Sequence, residues 1–143
     1  MIIHYKHRTK YAHSPVKAHI ADACFDIKSS RDITIEPHSY NVVTTDLSIR
    51  VPAGHVGMLM SRSGLASKHG VFVLNAPGII DAEYSGEVKV VLGNMSGSSY
   101  LIERGDKIAQ FMMLPLMQVS MLRGDSMIWN GTRGEKGFGS SGY

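Results

Sequence analysis

Asp46-Leu47-Ser48-Ile49-Arg50-Val51-Pro52-Ala53-Gly54-His55-Val56-Gly57-Met58-Leu59-Met60 holds the pattern from which the fold is read. Polar and apolar residues alternate through Val51, Pro52-Ala53-Gly54 supplies a turn, and a second β-rich run follows. A period of two sends successive side chains to opposite faces of a strand. The same pattern recurs outward in both directions, in Asp32-Ile33-Thr34-Ile35-Glu36, in Glu87-Val88-Lys89-Val90-Val91-Leu92 and in Lys107-Ile108-Ala109-Gln110-Phe111-Met112. Clusters of Gly, Pro, Asn and Ser separate the runs, which predicts an all-β chain folded as an antiparallel sandwich or barrel. Only Ser63 to His69 reads as helical, barely two turns. The lack of a long amphipathic helix argues against a parallel α/β sheet.

At 143 residues the chain suits one domain, and no internal repeat is visible. Its apolar runs fall well short of the roughly 18 residues of a membrane helix. The opening Met1-Ile2-Ile3-His4-Tyr5-Lys6 lacks the layout of a signal peptide. The lone Cys24 cannot form an internal disulfide, which suits a reducing compartment and suggests the cytoplasm. Without an activating pattern around it, Cys24 reads as a packed residue in a strand and not as a nucleophile.

A net charge of +3 favours anionic partners. Lys and Arg are dispersed, with no run of five, so stable nucleic-acid binding through a polybasic arm is not expected. The cluster Met112, Met113, Met117, Met121 and Met127 reads as flexible core filler. The seven histidines are scattered and form no H-E-x-x-H zinc signature. Residues 1–19, with His4, His7, His13 and His19, match no motif; they suit an edge strand or a subunit contact.

Four segments carry chemistry. Ser61-Arg62-Ser63-Gly64 marks a strand giving way to the short helix, where a guanidinium, a hydroxyl and free N–H groups make an anion site. In Asn75-Ala76-Pro77-Gly78-Ile79-Ile80-Asp81-Ala82-Glu83-Tyr84-Ser85-Gly86-Glu87, turn residues bracket two apolar stubs, which predicts a β-hairpin folding over a small ligand. Asp81 leaves the apolar Ile79-Ile80 stub, where its carboxylate can act as a general base, hold a metal-bound water or simply cap a turn. Arg104-Gly105-Asp106-Lys107-Ile108-Ala109-Gln110 reads as a tight turn entering a strand, with the Gln110 amide available to a phosphate or to the fold. The glycine-rich end from Asn130 to Tyr143 reads by composition as a disordered tail. Its glycines, Arg133 and Phe138 would also suit a lid over a bound nucleotide.

Taken together and in order, these segments resemble the five motifs of the homotrimeric deoxyuridine triphosphatase (dUTPase) family. The first matches Ala23-Cys24-Phe25-Asp26-Ile27, the second Arg62-Ser63-Gly64-Leu65-Ala66, and the third the stretch from Gly78 to Glu87. The fourth runs from Arg104 to Gln110, and the fifth from Arg133 to Gly142. The departures are modest: Cys24-Phe25 stands where Gly-Tyr is common, Ser61 where proline is common, and Ser141 where threonine is usual.

The resemblance implies a distorted jelly-roll with one short helix, spanning residues 1–130, and a mobile lid over 131–143. It implies a homotrimer whose active sites each combine three chains, splitting dUTP with Mg²⁺ into dUMP and pyrophosphate. That reaction supplies dUMP for thymidylate synthesis and keeps uracil out of DNA. Asp81 would be the catalytic base. Arg62, Ser63, Gly64 and Gln110 would touch the triphosphate, and Asp26 would hold waters of the Mg²⁺. Asn75, Gly78, Ile79, Ile80 and Lys89 would read uracil, the hairpin by its backbone, while Tyr84 packs on deoxyribose and excludes a 2′-hydroxyl. Arg133, Phe138, Gly139 and Ser140 would close over the bound nucleotide.

Two other readings compete. A dCTP deaminase shares the resemblance in the middle of the chain but carries its catalytic glutamate where Val91 stands, and valine cannot move protons. A nucleic-acid-binding β-module would show salt-sensitive binding to oligonucleotides and no release of pyrophosphate.

Overall fold

The computed structural model describes residues 1–124. The elements in chain order are β1 (Tyr5–His7), β2 (Phe25–Lys28), β3 (Ile33–Ile35), β4 (Ser39–Thr44), β5 (Leu47–Ile49), β6 (His55–Met60), α1 (Ser63–His69), β7 (Val71–Val73), β8 (Gly78–Ile80), β9 (Lys89–Asn94), β10 (Tyr100–Ile102) and β11 (Lys107–Pro115). Four strands form one sheet in the order β2-β11-β6-β8, and three form a second in the order β4-β9-β7. Two short pairs, β1-β5 and β10-β3, complete the ladders. Every named pair is antiparallel. Among the described residues no sheet closes on itself, so of the two expected architectures the layered one is realised and the barrel is not.

The alternation works as expected where a strand has one face inward. In β9 the side chains of Val90 and Leu92 are fully buried, and Leu47, Ile35, Val43, Val71, Ile102 and Ala109 join them with no exposed surface. In β6 the inward residues are Gly57 and Leu59, while Val56, Met58 and Met60 stay half-buried. A Cβ at Gly57 would lie 2.8 Å from the Phe111 ring and 3.2 Å from Ile80, so this close approach of β6, β8 and β11 requires the missing side chain. The helix starts and stops where the sequence predicts. Gly70 ends it in the left-handed conformation, φ 67°, and donates back to Ala66 and Leu65 carbonyls.

Three expectations need correction. The stretch from Asn75 to Glu87 is not a hairpin of paired strands: β8 pairs with β6, whereas β9 pairs with β4 and β7. Turn residues announce a reversal, yet the partner of an apolar stub is chosen by the packing of the whole chain. The methionine reading holds only partly. Met113 packs on the core, but Met117 and Met121 are almost fully exposed, because β11 ends at Pro115 and no further described element covers them. Cys24 lies half-buried just before β2 and not within a strand. The unassigned first residues supply an edge strand, β1, laid against β5.

Candidate functional site

The chain leaves β7 through Asn75 and a cis Ala76–Pro77 peptide to enter β8. A Cβ on Gly78 would touch the Asn75 amide at 3.4 Å, so this side chain lies directly against the start of β8. Beyond Ile80 a tight turn follows, closed by the Tyr84 N–H donating to the Asp81 carbonyl at 3.1 Å. Asp81 and Tyr84 therefore occupy the two ends of one turn. The Tyr84 hydroxyl donates to the Glu87 carbonyl at 2.7 Å, which lays its ring back over Gly86.

These elements surround a cavity of about 430 Å³ that includes Asn75, Gly78, Ile79, Ile80, Asp81, Tyr84 and Lys89 in its lining. All seven are residues to which the family resemblance assigns a role. Leu59, Val73, Val88 and Val90 supply apolar walls, and Arg8 and Glu87 add charge that carried no assigned role. The size and the mixture of apolar walls with few polar groups suit a small organic ligand. Strand β8 lies at the end of its sheet, so among the described residues only the edge facing β6 is paired.

The remaining candidates gather elsewhere. Asp26 is buried in β2 and forms two ionic contacts, from Lys107 Nζ at 2.7 Å and from Arg62 Nε at 3.2 Å. Burial pushes its carboxyl upward. The Lys107 hydrogen bond and the charges of Arg62 and Lys107 outweigh that and hold it below the ordinary carboxylate value. Arg62 also donates to the Lys107 carbonyl at 3.1 Å, which fixes the guanidinium beside the first turn of α1. Ser63 and Gly64 are exposed on that turn, and a Cβ added to Gly64 would meet open space among the described residues. Gln110 stands in register with Asp26 on one side and Met60 on the other. Next to this group, Lys28, Arg62 and Lys107 help line a second hollow of about 380 Å³.

Among the described residues none lines both hollows. Within one chain, then, the candidates for nucleoside and for phosphate form two groups. A larger surface hollow, about 580 Å³ beside Tyr11, Arg31 and Arg104, involves none of them. Arg133, Phe138, Gly139 and Ser140 lie outside the described residues. Sequence reading missed Arg8 and Lys28, which sit in no recognisable spacing and reach the hollows only through tertiary packing.

Among the described residues no group of three or more His, Cys, Asp or Glu side chains could hold a metal ion. Both Asp26 oxygens already contact a cation. A carboxylate has about four lone-pair sites, so it can still accept a hydrogen bond from a metal-bound water. This donor set suits a hydrated Mg²⁺ carried by substrate oxygens and does not suit an all-protein cage. No helix among the described residues is long and apolar enough to cross a membrane.

Comparison with known proteins gives a consistent result. The dUTPase family model matches residues 10–142. The deoxyuridine 5′-triphosphate nucleotidohydrolase of Tropheryma whipplei (strain Twist) is 41% identical over 134 residues, covering 93% of this chain and 91% of that protein. The protein of the same name from Clostridium kluyveri is 39% identical over 137 residues, with coverage of 96% and 95%. Among solved structures, the Staphylococcus bacteriophage 80alpha dUTPase with dUpNHpp is similar with a TM-score of 0.91 at 31% identity, over 99% of both chains. A dUTPase variant from phage phi11 of S. aureus, solved with a structural Mg(II) ion, gives a TM-score of 0.83 at 25% identity, covering 89% of this chain and 99% of that one. Aligned with these relatives over almost all of its length, and matched by the family model from residue 10 to residue 142, the chain belongs to the dUTPase family.

Proposed function

We propose a division of labour by which this chain hydrolyses dUTP to dUMP and pyrophosphate. The cavity of about 430 Å³ takes the deoxyuridine, and Asp81 on its rim activates the attacking water. The observation that carries the reading is the convergence of Asn75, Gly78, Ile79, Ile80, Asp81, Tyr84 and Lys89 on that one cavity. The unpaired edge of β8 presents backbone donors and acceptors in a fixed order, which suits the edge of uracil. Cytosine would reverse part of that order and leave buried groups unpaired. The Tyr84 ring, pinned by its hydroxyl to Glu87, forms the wall against the sugar.

In the reaction the Asp81 carboxylate takes a proton from water as the water oxygen bonds to the α-phosphorus. The bond from that phosphorus to the bridging oxygen breaks, and pyrophosphate leaves. Arg62, Ser63, Gly64 and Gln110 hold the phosphates. Arg62 has N–H donors left over from its bonds to Asp26 and Lys107. Asp26 would hold the waters of a bound Mg²⁺, which would supply charge neutralisation. Catalysis is then chiefly positioning and electrostatics.

The nucleoside and phosphate candidates form separate groups on one chain, and membership of the dUTPase family implies that neighbouring copies in a homotrimer assemble the complete site. Arg133, Phe138, Gly139 and Ser140 of the 131–143 segment close it as a lid. The test is pyrophosphate release with Mg²⁺ from dUTP, dCTP, dTTP and UTP in parallel. Release from dUTP alone is the expected result; equal release from all four would remove both the base reader and the sugar wall from this account.

A further inference from the structure

The turn that carries Tyr84 is braced from outside. Of its carbonyls, those of Ser85 and Gly86 accept from one side chain, the buried Ser48 hydroxyl on β5, at 3.3 Å and 2.9 Å. A serine hydroxyl has one proton to give and lone pairs to receive with. Here the lone pair is used: Arg8 Nη1 donates to Ser48 Oγ at 3.1 Å. Arg8 follows directly on β1, and its own N–H donates to the Asp46 carbonyl at 2.8 Å, so it is anchored by main chain and side chain together. A hydroxyl that accepts from a guanidinium is polarised and donates more strongly.

The brace connects to the Tyr84 ring through Gly86. A Cβ added there would lie 2.5 Å from the Tyr84 hydroxyl and 2.6 Å from its ring carbon, so the ring rests on the Gly86 main chain. Whatever fixes the Gly86 carbonyl fixes the ring. The other end of the turn is fixed as well, since Glu87 Oε1 accepts from the N–H groups of Thr45 and Asp46 at 3.2 Å and 3.0 Å. No described carboxylate forms an ion pair with Arg8, although its side chain lines the same cavity as Tyr84. An arginine that donates to a buried serine, with no acidic partner among the described residues, is well placed for bracing.

We infer that Arg8, acting through Ser48, is a positioning residue for sugar discrimination: it holds the 84–87 turn so that the Tyr84 ring stays where a ribose 2′-hydroxyl would collide. The inference rests on the reading of Tyr84 as the sugar wall. It predicts that the ratio of kcat/KM for dUTP over UTP falls in Arg8→Ala by roughly tenfold, about the worth of one hydrogen bond from a charged donor. Ser48→Ala should lower the ratio at least as far. Since Arg8 works through Ser48, the double variant should match Ser48→Ala alone and not the product of the two effects. Arg8→Lys, which keeps a charged donor, should recover part of the ratio.

The experiment measures both substrates for the wild type, for Tyr84→Ala and for these four variants in the full chain. Arg8 is exposed, so its substitution leaves the core intact and is decisive even where Ser48→Ala folds poorly. An Arg8→Ala ratio equal to that of the wild type, with Tyr84→Ala lowering it, overturns the brace and spares the sugar wall. A double variant whose loss is the product of the single losses overturns the route through Ser48. A wild type that does not prefer dUTP, or a Tyr84→Ala variant that keeps the preference, overturns the sugar wall and the brace with it.

Discussion

Gly86→Ala is the most direct probe of the cavity's geometry. The added methyl would stand 2.5 Å from the Tyr84 hydroxyl, 2.6 Å from Cζ and 3.0 Å from Cε2. To reach ordinary contact the end of the ring must retreat by about 1 Å. That retreat pulls against the 2.7 Å hydrogen bond from the Tyr84 hydroxyl to the Glu87 carbonyl. Because the tyrosine is 47% exposed, the ring can swing outward and no core has to deform. The stability cost is then close to that of one hydrogen bond, about 1 kcal/mol, or about 2–4 °C in Tm. The kinetic cost should be larger, since a displacement of about 1 Å in a positioning group can lower a rate by roughly a hundredfold. Steady-state assays with dUTP and UTP, beside a thermal melt, check both parts. The expected variant is folded, with kcat/KM for dUTP lowered about tenfold to a hundredfold and its preference over UTP narrowed. A variant melting within a degree of the wild type, with unchanged constants on both substrates, would refute the idea that the Tyr84–Gly86 contact shapes the cavity.

Asp81→Asn should preserve fold and dUTP binding while lowering turnover by about a hundredfold or more, as loss of a general base does; calorimetric binding beside single-turnover kinetics separates the two, and near-normal turnover would move the base elsewhere. A chain ending before Arg133 should keep the melting behaviour of the β-core and lose hydrolysis, and full activity in that truncation would deny the tail its role. Asp26→Asn should cost about 1–2 kcal/mol by urea denaturation, less than for a fully buried pair because Arg62 and Lys107 keep 29% and 36% of their side-chain surface exposed. Since the folded carboxyl titrates below its unfolded value of about 3.9, its stabilisation is complete above that pH and is lost as pH falls through the folded pKa. The asparagine variant should therefore show a shallower acid limb, and parallel acid limbs would contradict the assignment. His13, whose Nε2 is buried without a partner among the described residues, has its pKa held below the ordinary imidazole value by burial and then by the positive charges of Lys28, Arg104 and His7. Wild-type stability should fall as pH drops below about 6.5, where the unfolded imidazole takes a proton first; His13→Phe should flatten that slope, and an unchanged slope would place the titration on another histidine.

Local pattern was enough for the parts of the fold that are locally determined. The helix Ser63–His69 is readable because a strand-like run stops at Ser61 and Gly70 can take the left-handed turn that ends it. Strand β6 is readable to the residue because Gly54 and Arg62 bound its apolar stretch. Pairing was not readable in the same way. Nothing in Gly78-Ile79-Ile80 announces that its partner is Gly57-Met58-Leu59, some twenty residues earlier, and not the run that follows it. The site divides along the same line. Residues within contiguous motifs, such as Asp81 and Tyr84, are legible through the family resemblance those motifs carry, because spacing preserves their neighbours. Arg8 reaches the cavity only because β1 lies on β5, and Lys107 clasps Asp26 only because β2 and β11 are adjacent. A single sequence does not print either adjacency.

The unpaired edge of β8 has a consequence for inheritance. Ile79 points away from the core and is 57% exposed, on a strand whose second edge is unpaired among the described residues. Side-chain readers of a base can be lost to one missense change. Peptide groups are the same whichever amino acid a codon specifies, proline apart, so a recognition surface made from them survives drift in the residues that form it. Mutational scanning of position 79 should accordingly find broad tolerance among non-proline residues, while selectivity for the base responds instead to whatever shifts the strand itself.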